Sequence, residues 1–256
     1  MTLPLAGKHA VVTGGGRGIG AAVAQLLSES GASVTLFGRS VAPLEQQAAR
    51  LENAVALPCD VSDEQAVANA FGKARDRFGD VAILVNNAGA AESAPFLSTD
   101  LAVWQRLMEV NLLGTVLCVR QALPAMVAAG FGRIVNVAST AALRGYAYVS
   151  AYCAAKHAVL GLTRSLALEV ARKGVTVNAV CPGYVDTDMT RETIARIVAK
   201  TGRTQAQALD ELVRGNPQGR LVKPFEVATA VVNLCRPGSD AITGQAISVS
   251  GGEVMQ

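Results

Sequence analysis

The sequence predicts a single α/β domain built around a parallel sheet, and three observations carry that expectation. Short apolar, β-branched runs alternate with longer segments of helical periodicity, the pattern of successive βαβ crossovers. A cluster of glycines separates the first such run from the first helical segment. No Pro/Ser-rich linker or low-complexity tract divides the 256 residues, so one core is expected to serve residues 1–256.

Seven strands are expected, at His9–Thr13, Ser33–Phe37, Ala54–Pro58, Val81–Val85, Arg133–Ala138, Val175–Val180 and Ile242–Val249. The first leads into Thr13–Gly20, TGGGRGIG, and then into Ala21–Ser30, a run of good helix formers with an apolar face. Leu112–Leu123 and Ala158–Val170 are rich in small and apolar residues suited to close helix packing. After Pro182 the usual short connection gives way to roughly forty residues with helical periodicity around Ile194–Ala199 and Gln205–Val213. Long structured excursions of this kind often serve function.

Composition narrows the function classes. The chain is 50% hydrophobic and 17% charged, which describes a globular domain rather than a disordered one. The longest stretch free of Asp, Glu, Lys and Arg is 12 residues, as in Gly174–Val185, against the roughly 18 that suggest a membrane span. The N-terminus, MTLPLAGKHA, lacks the basic and apolar regions of a secretory signal, so a cytoplasmic protein with no membrane partner is expected. Cys59, Cys118, Cys153, Cys181 and Cys235 form no C-x-x-C pair, and His9 and His157 have no second ligand at metal spacing. Buried free thiols and no metal site are expected. A net charge of +3 and 4% aromatic residues give no basis for nucleic-acid binding. From Met189 to Lys223, seven basic residues (Arg191, Arg196, Lys200, Arg203, Arg214, Arg220, Lys223) face three acidic ones (Glu192, Asp210, Glu211), a local balance of 7 − 3 = +4.

The glycine turn is the first feature that carries chemistry. Gly14, Gly18 and Gly20 permit a tight strand-to-helix turn and a close approach of backbone to a pyrophosphate seated on the helix N-terminus. A Walker P-loop is excluded, because Ala21 and Ala22 stand where Lys and Ser/Thr are required. A bare glycine pattern also fits a purely structural turn. The spacing Gly14-x-x-x-Gly18-x-Gly20 resembles that of the short-chain dehydrogenase/reductase family, and further motifs follow in the family's order. Asn86-Asn87-Ala88-Gly89 closes the fourth strand, and Asn111 falls within the next helix. Ser139 follows the fifth strand, Tyr152 and Lys156 form Y-x-x-x-K, and Pro182-Gly183 ends the sixth.

The resemblance implies a Rossmann-type, doubly wound, seven-stranded parallel sheet, a nicotinamide cofactor, and a catalytic set of Asn111, Ser139, Tyr152 and Lys156. It implies cofactor contacts at Gly14, Arg17, Gly18, Ile19, Gly20, Arg39, Asp60, Val61, Asn87, Ala88, Gly89, Tyr152, Lys156, Pro182, Gly183, Val185 and Thr187. It also implies a helical substrate lid at about 187–216 and a homotetramer joined through its long helices and last strand.

Physical reasoning reaches part of that set by itself. Tyr152 and Lys156, four apart, share one face of a helix. Bringing a phenol from its usual pKa near ~10 to neutrality costs roughly 4 kcal/mol. A positive charge about 4 Å away at an effective dielectric of about 20 supplies that much. Lys156 is therefore expected to be nearly sufficient to activate Tyr152, with an oxidised nicotinamide ring adding to the effect. Ser139, just past a strand end where parallel sheets place ligands, is either a substrate-holding hydroxyl or a turn-capping serine. Asn111 is either a satisfied core amide or, as the resemblance implies, the anchor of a water in a proton relay from Lys156.

At the end of the second strand, Gly38-Arg39 stands where an NAD site places Asp or Glu for the ribose 2′-hydroxyl. Arg39, helped by Arg17, can bind a 2′-phosphate instead, so NADP(H) is the expected cofactor, with NAD(H) the alternative. Within the family, GRIVNVAST and PGYVDTDMT look most like 3-oxoacyl reductases, polyketide ketoreductases and 3-hydroxyacyl or hydroxybutyrate dehydrogenases. A 3-oxoacyl thioester on CoA or acyl carrier protein, or a similar ketone, is the expected substrate, and the basic excursion suits an acidic carrier. An NAD-dependent hydroxyacyl or small secondary-alcohol dehydrogenase is the alternative within this class. A non-catalytic dinucleotide sensor or scaffold is the alternative outside it, and the intact tetrad argues against it. No G-x-S-x-G elbow supports a hydrolase. Ser250-Gly251-Gly252, where relatives often carry Asp-Gly-Gly, leaves the local contacts of the C-terminal strand open.

Overall fold

Strands buried on both faces read as continuous apolar runs, and successive side chains leave such a strand on opposite sides. In the computed structural model, which describes residues 3–255, β1 (His9–Thr13) sends Ala10 and Val12 into one core and Val11 into another. The remaining strands are β2 (Ser33–Gly38), β3 (Ala54–Pro58), β4 (Val81–Asn86), β5 (Gly132–Val137), β6 (Val175–Pro182) and β7 (Ala246–Val249). They form one sheet in the order β3-β2-β1-β4-β5-β6-β7, with every pairing parallel. This is the doubly wound seven-stranded sheet expected from the sequence.

Nine α-helices connect these strands among the described residues: α1 (Gly18–Glu29), α2 (Val41–Ala48), α3 (Glu64–Phe78), α4 (Leu101–Met108), α5 (Gly114–Ala129), α6 (Ser150–Val170), α7 (Asp188–Thr201), α8 (Gln205–Val213) and α9 (Pro224–Cys235). α1, α2 and α9 cover one face through residues such as Leu27, Leu44 and Val231. α3, α5 and α6 cover the other, with Phe71, Met126 and Leu166 against Val11, Leu84 and Ile134. The winding reverses between β1 and β4, so a crevice opens at their carboxyl ends, where such sheets bind ligands.

Three local features differ from expectation. β7 begins at Ala246 rather than Ile242. Asn178 donates through Nδ2 to the Ile242 carbonyl (2.7 Å) and accepts from the Gln245 amide (3.1 Å), while Gly244 takes φ +71°. Side-chain bonds and a left-handed glycine thus hold Ile242–Gln245 as a turn. Second, α4 and α5 form one rod, Leu101–Ala129, whose most apolar part has mean hydropathy 1.6, long and apolar enough for a membrane span by those two measures. The uncharged-run test misses it because Arg106, Glu109 and Arg120 punctuate it. Here Leu107, Cys118, Ala122 and Met126 are spent on the core. Third, five residues of that rod, Glu109–Leu113, form a π-helical turn, in which the Gly114 amide reaches back to Glu109 O.

Candidate active site

The glycine turn is shaped by what it cannot accommodate. Gly14 and Gly18 have φ of +64° and +56°, and a Cβ on Gly20 would stand 2.2 Å from the Gly14 carbonyl oxygen. Only glycine permits this path. α1 starts at Gly18 with no side chain capping its first amides, so these N–H groups remain available to an anion. The turn is fastened from beneath. Asn87 Nδ2 donates to the carbonyls of Thr13 (2.9 Å) and Gly14 (3.2 Å), and the amides of Asn87 and Ala88 both donate to Thr13 Oγ1 (2.9 Å each). The Asn87 side chain therefore holds the turn, and Thr13 belongs to the same assembly. Ile19 packs on the first core, and Thr187 Cγ2 would stand 3.1 Å from a Cβ at Gly18.

On the other side of the crevice, α6 carries Tyr152 and Lys156 one turn apart, launched from Tyr148, the one non-glycine residue at positive φ (+67°) among those described. Lys156 is buried and donates through Nζ to the Val137 carbonyl at 3.0 Å. Asn111, also buried, sits in the π turn, where its Nδ2 donates to Leu107 O (2.8 Å) and Ala90 O (2.9 Å) while Oδ1 accepts from Ala90 N (3.3 Å). π turns often mark functional sites. Gly89 separates the two: a Cβ there would lie 2.8 Å from Asn111 Oδ1 and 3.6 Å from Lys156 Nζ. Ser139 Oγ accepts from the Ala141 amide (3.1 Å), so it caps a short turn while standing beside the phenol.

The electrostatics correct one expectation. Burial pushes the Tyr152 phenol up to about 12, opposed by its side-chain interaction with Ser139, and pushes Lys156 down to about 8. Lys156 Nζ lies 5.7 Å from the Tyr152 ring centroid and is engaged by a carbonyl. Lys156 alone therefore does not bring the phenol near neutrality. Burial thus favours the protonated form of Tyr152.

Arg39 is exposed at the end of β2, and Arg17 precedes α1 with its guanidinium 3.7 Å from Asp188. Asp60 accepts from the Ser62 amide (3.0 Å) and hydroxyl (2.6 Å), bonds that hold its carboxyl below the usual range, with Arg39 adding a smaller effect. Val61 is buried against Gly114. The Gly183 amide donates to Val249 O (3.1 Å), extending the β6–β7 ladder past Pro182, and Val185 bridges to Val222. Ser250 contacts Ser248 Oγ (2.8 Å) and accepts from the Val254 amide (3.3 Å), which answers what replaces the aspartate.

The excursion after β6 contains α7 and α8, the second as expected and the first more than twice as long as its periodicity suggested. Its charge is less free than composition implies. Arg191 pairs with Asp186 and Asp188, Arg203 with Glu211, and Arg220 with Glu226. Counting only Met189–Lys223 leaves out three of these carboxylates. Two residues that the sequence did not single out also line this end. Tyr146 Oη donates to Glu253 Oε1 (2.6 Å) and lies 2.8 Å from Thr140 Oγ1. Neither has a motif, and the bond spans 107 residues.

A glycine-turn cradle facing a Ser–Tyr–Lys set at the switch point of a doubly wound sheet defines a nicotinamide-dependent oxidoreductase. Residues 8–197 match the family model described as short chain dehydrogenase, and the chain belongs to that family. It is 36% identical over 256 residues to D-beta-hydroxybutyrate dehydrogenase of Rhizobium meliloti, covering 97% of this chain and 99% of that one. It is 37% identical over 252 residues to the 3-oxoacyl-acyl-carrier-protein reductase of Vibrio cholerae, covering 98% and 99%. A crystal structure of actinorhodin polyketide ketoreductase with NADPH superimposes with a TM-score of 0.92 at 36% identity, covering 96% of this chain and 97% of that one.

Proposed function

We propose that the protein reduces a 3-oxoacyl thioester or a similar ketone with NADPH, or catalyses the reverse oxidation. The observation that carries this reading is Tyr152, a buried phenol held protonated beside the Ser139 hydroxyl, which is the arrangement a carbonyl reduction needs. The residues fit a dinucleotide: the turn is open, the α1 amides are uncapped, and no carboxylate follows Gly38 to repel a 2′-phosphate. Arg39 and Arg17 bind that phosphate, and Asp60, Val61, Ala88, Gly89, Pro182, Gly183, Val185 and Thr187 line the rest of the path, with Asn87 fastening it. When bound, the cofactor supplies or accepts hydride at nicotinamide C4.

The chain's own groups do the proton chemistry. Ser139 orients the substrate oxygen, and Tyr152 gives it a proton as negative charge develops. Lys156 binds the ribose and lowers the cost of the phenolate left behind, and Asn111 holds a relay that returns the proton. α7 and α8 serve as the substrate lid at about 187–216. Similarity to a 3-oxoacyl-acyl-carrier-protein reductase and to a ketoreductase seen with NADPH supports this choice over an NAD-dependent hydroxyacyl or alcohol dehydrogenase. Acyl carrier protein as partner rests on the unpaired Arg196, Lys200 and Arg214. Five buried free thiols suit the reducing cytoplasm.

Assembly as a homotetramer is supported by apolar surface on the long helices. Only 33% of the apolar stretch of the α4–α5 rod is buried within the chain, and Leu168 on α6 is 82% exposed. A monomeric mass by sedimentation at micromolar concentration would overturn the assembly. A steady-state screen of 3-oxoacyl thioesters and small ketones with NADPH and NADH tests the function. The expected result is thioester turnover preferring NADPH; turnover confined to small alcohols with NAD would replace the reading.

A further inference from the structure

The C-terminal tail places an unpaired carboxylate at the substrate end of the crevice. Gly251 and Gly252, at φ +63° and +93°, reverse the chain after β7 and bring Glu253 back across the carboxyl edge of the sheet. Its Oε2 would stand 3.0 Å from a Cβ on Gly183, and its Oε1 3.3 Å from one on Gly215, so it fills the gap between the end of β6 and the end of the excursion. Tyr146 Oη donates to Oε1 and sits on Thr140, the residue after Ser139. Glu253 is thus fixed by the segment that carries the substrate-orienting serine. No lysine, arginine or histidine among the described residues pairs with it. The nearest guanidinium on that segment, Arg144, lies over the Tyr146 ring, 4.8 Å from its centroid. Two phenols feel the charge, since Glu253 helps to raise both Tyr146 and Tyr184.

We infer that Glu253 is a specificity-determining residue that repels substrates bearing a free carboxylate near the reacting carbonyl and so reserves the site for uncharged acyl groups, as in a thioester, ester or ketone. The inference rests on the ketone-reducing function proposed above. A carboxylate approaching within several ångströms of Glu253 meets a like charge that no ion pair among the described residues neutralises, in a partly desolvated crevice. An ester or thioester of the same acyl group meets none.

The test compares a short 3-oxo acid with its methyl ester in the wild type and in Glu253→Gln, which keeps an acceptor for Tyr146. The readouts are kcat/KM with NADPH and, in parallel, binding of each compound to the NADPH complex by quenching of nicotinamide fluorescence. The wild type is expected to favour the ester, and the acid-to-ester ratio is expected to rise about tenfold or more in the variant, as removal of a close like charge predicts. Tyr146→Phe, which keeps the charge, is expected to retain the wild-type preference. A wild type that prefers the acid, or a ratio unmoved by Glu253→Gln, overturns the inference while leaving ketone reduction intact. Turnover of neither compound counts against the proposed function, and the binding ratio then decides the role of Glu253.

Discussion

The two ends of the crevice are built by different means. Around the glycine turn and the facing Lys156–Asn111 wall, the main fastenings are bonds to backbone: Asn87 and Thr13 bind main-chain groups of the glycine turn, Lys156 binds Val137 O, and Asn111 binds Leu107 O and Ala90 O. Around α7 and α8, the proposed lid, exposed ion pairs of Arg191 and Arg203 predominate, with only a few buried anchors such as Thr190 Oγ1 on Val185 O and the side chain of Ala208. Buried bonds to backbone leave little room to alter a residue without losing the site, whereas surface ion pairs contribute little and exchange easily. The chain is about equally identical to a hydroxybutyrate dehydrogenase and to a 3-oxoacyl reductase.

The largest effect is expected at the point where both sides meet. Tyr152→Phe removes the proton donor, so kcat should fall about 10²–10⁴-fold while NADPH affinity stays nearly unchanged; retention of most activity in the folded variant would reject the assignment.

Next comes Lys156→Ala, expected to lower kcat and weaken cofactor binding together, because one ammonium serves both. The same group sets a pH limit. Lys156 is charged below about 8 and loses its proton above it, so carbonyl reduction should be level on the acid side and decline through that range. Tyr152, with its pKa raised to about 12, stays protonated throughout and is not the cause. Alcohol oxidation needs the phenolate and should instead rise with pH. Rate profiles in both directions check the two signs, and identical profiles would break the assignment.

Gly20→Ala puts a methyl against the Gly14 carbonyl, and the turn must open to take it. A loss of about 1–3 kcal/mol in stability is expected, with weakened NADPH binding. Thermal melts with and without NADPH separate the two.

Arg39→Asp should lower kcat/KM for NADPH about ten- to hundredfold and shift preference toward NADH, since it trades a phosphate donor for a carboxylate. An unmoved cofactor ratio would leave Arg39 a surface arginine. At the small end, Arg203→Ala, which breaks the pair with Glu211, should change stability by about 0–1 kcal/mol. A larger loss in urea titration would contradict the contrast between the two ends.

Legibility in the sequence followed the same division. The seven strands and the Ser139–Tyr152–Lys156 set were readable because apolar runs and fixed local spacings specify them. The short β7 was not, because its start is decided by Asn178, 64 residues from the carbonyl it occupies. Tyr146 and Glu253 meet only after the chain has wound the whole sheet, and nothing local marks either. The tyrosine's acidity is not legible for a related reason: spacing along α6 gives proximity to Lys156, but burial, the largest influence on the phenol, comes from the packing of remote segments.

The π turn at Glu109–Leu113 has a consequence for how the rod can change. Each residue in a regular helix advances the side-chain direction by about 100°, so a widened turn works as a phase shift between two coaxial screws. α4 and α5 keep separate angular settings, and Asn111, in the widened turn between them, reaches both Leu107 O and Ala90 O. The rod is therefore expected to be sensitive to its residue count between Met108 and Gly114 as well as at buried positions such as Leu107, Cys118 and Met126.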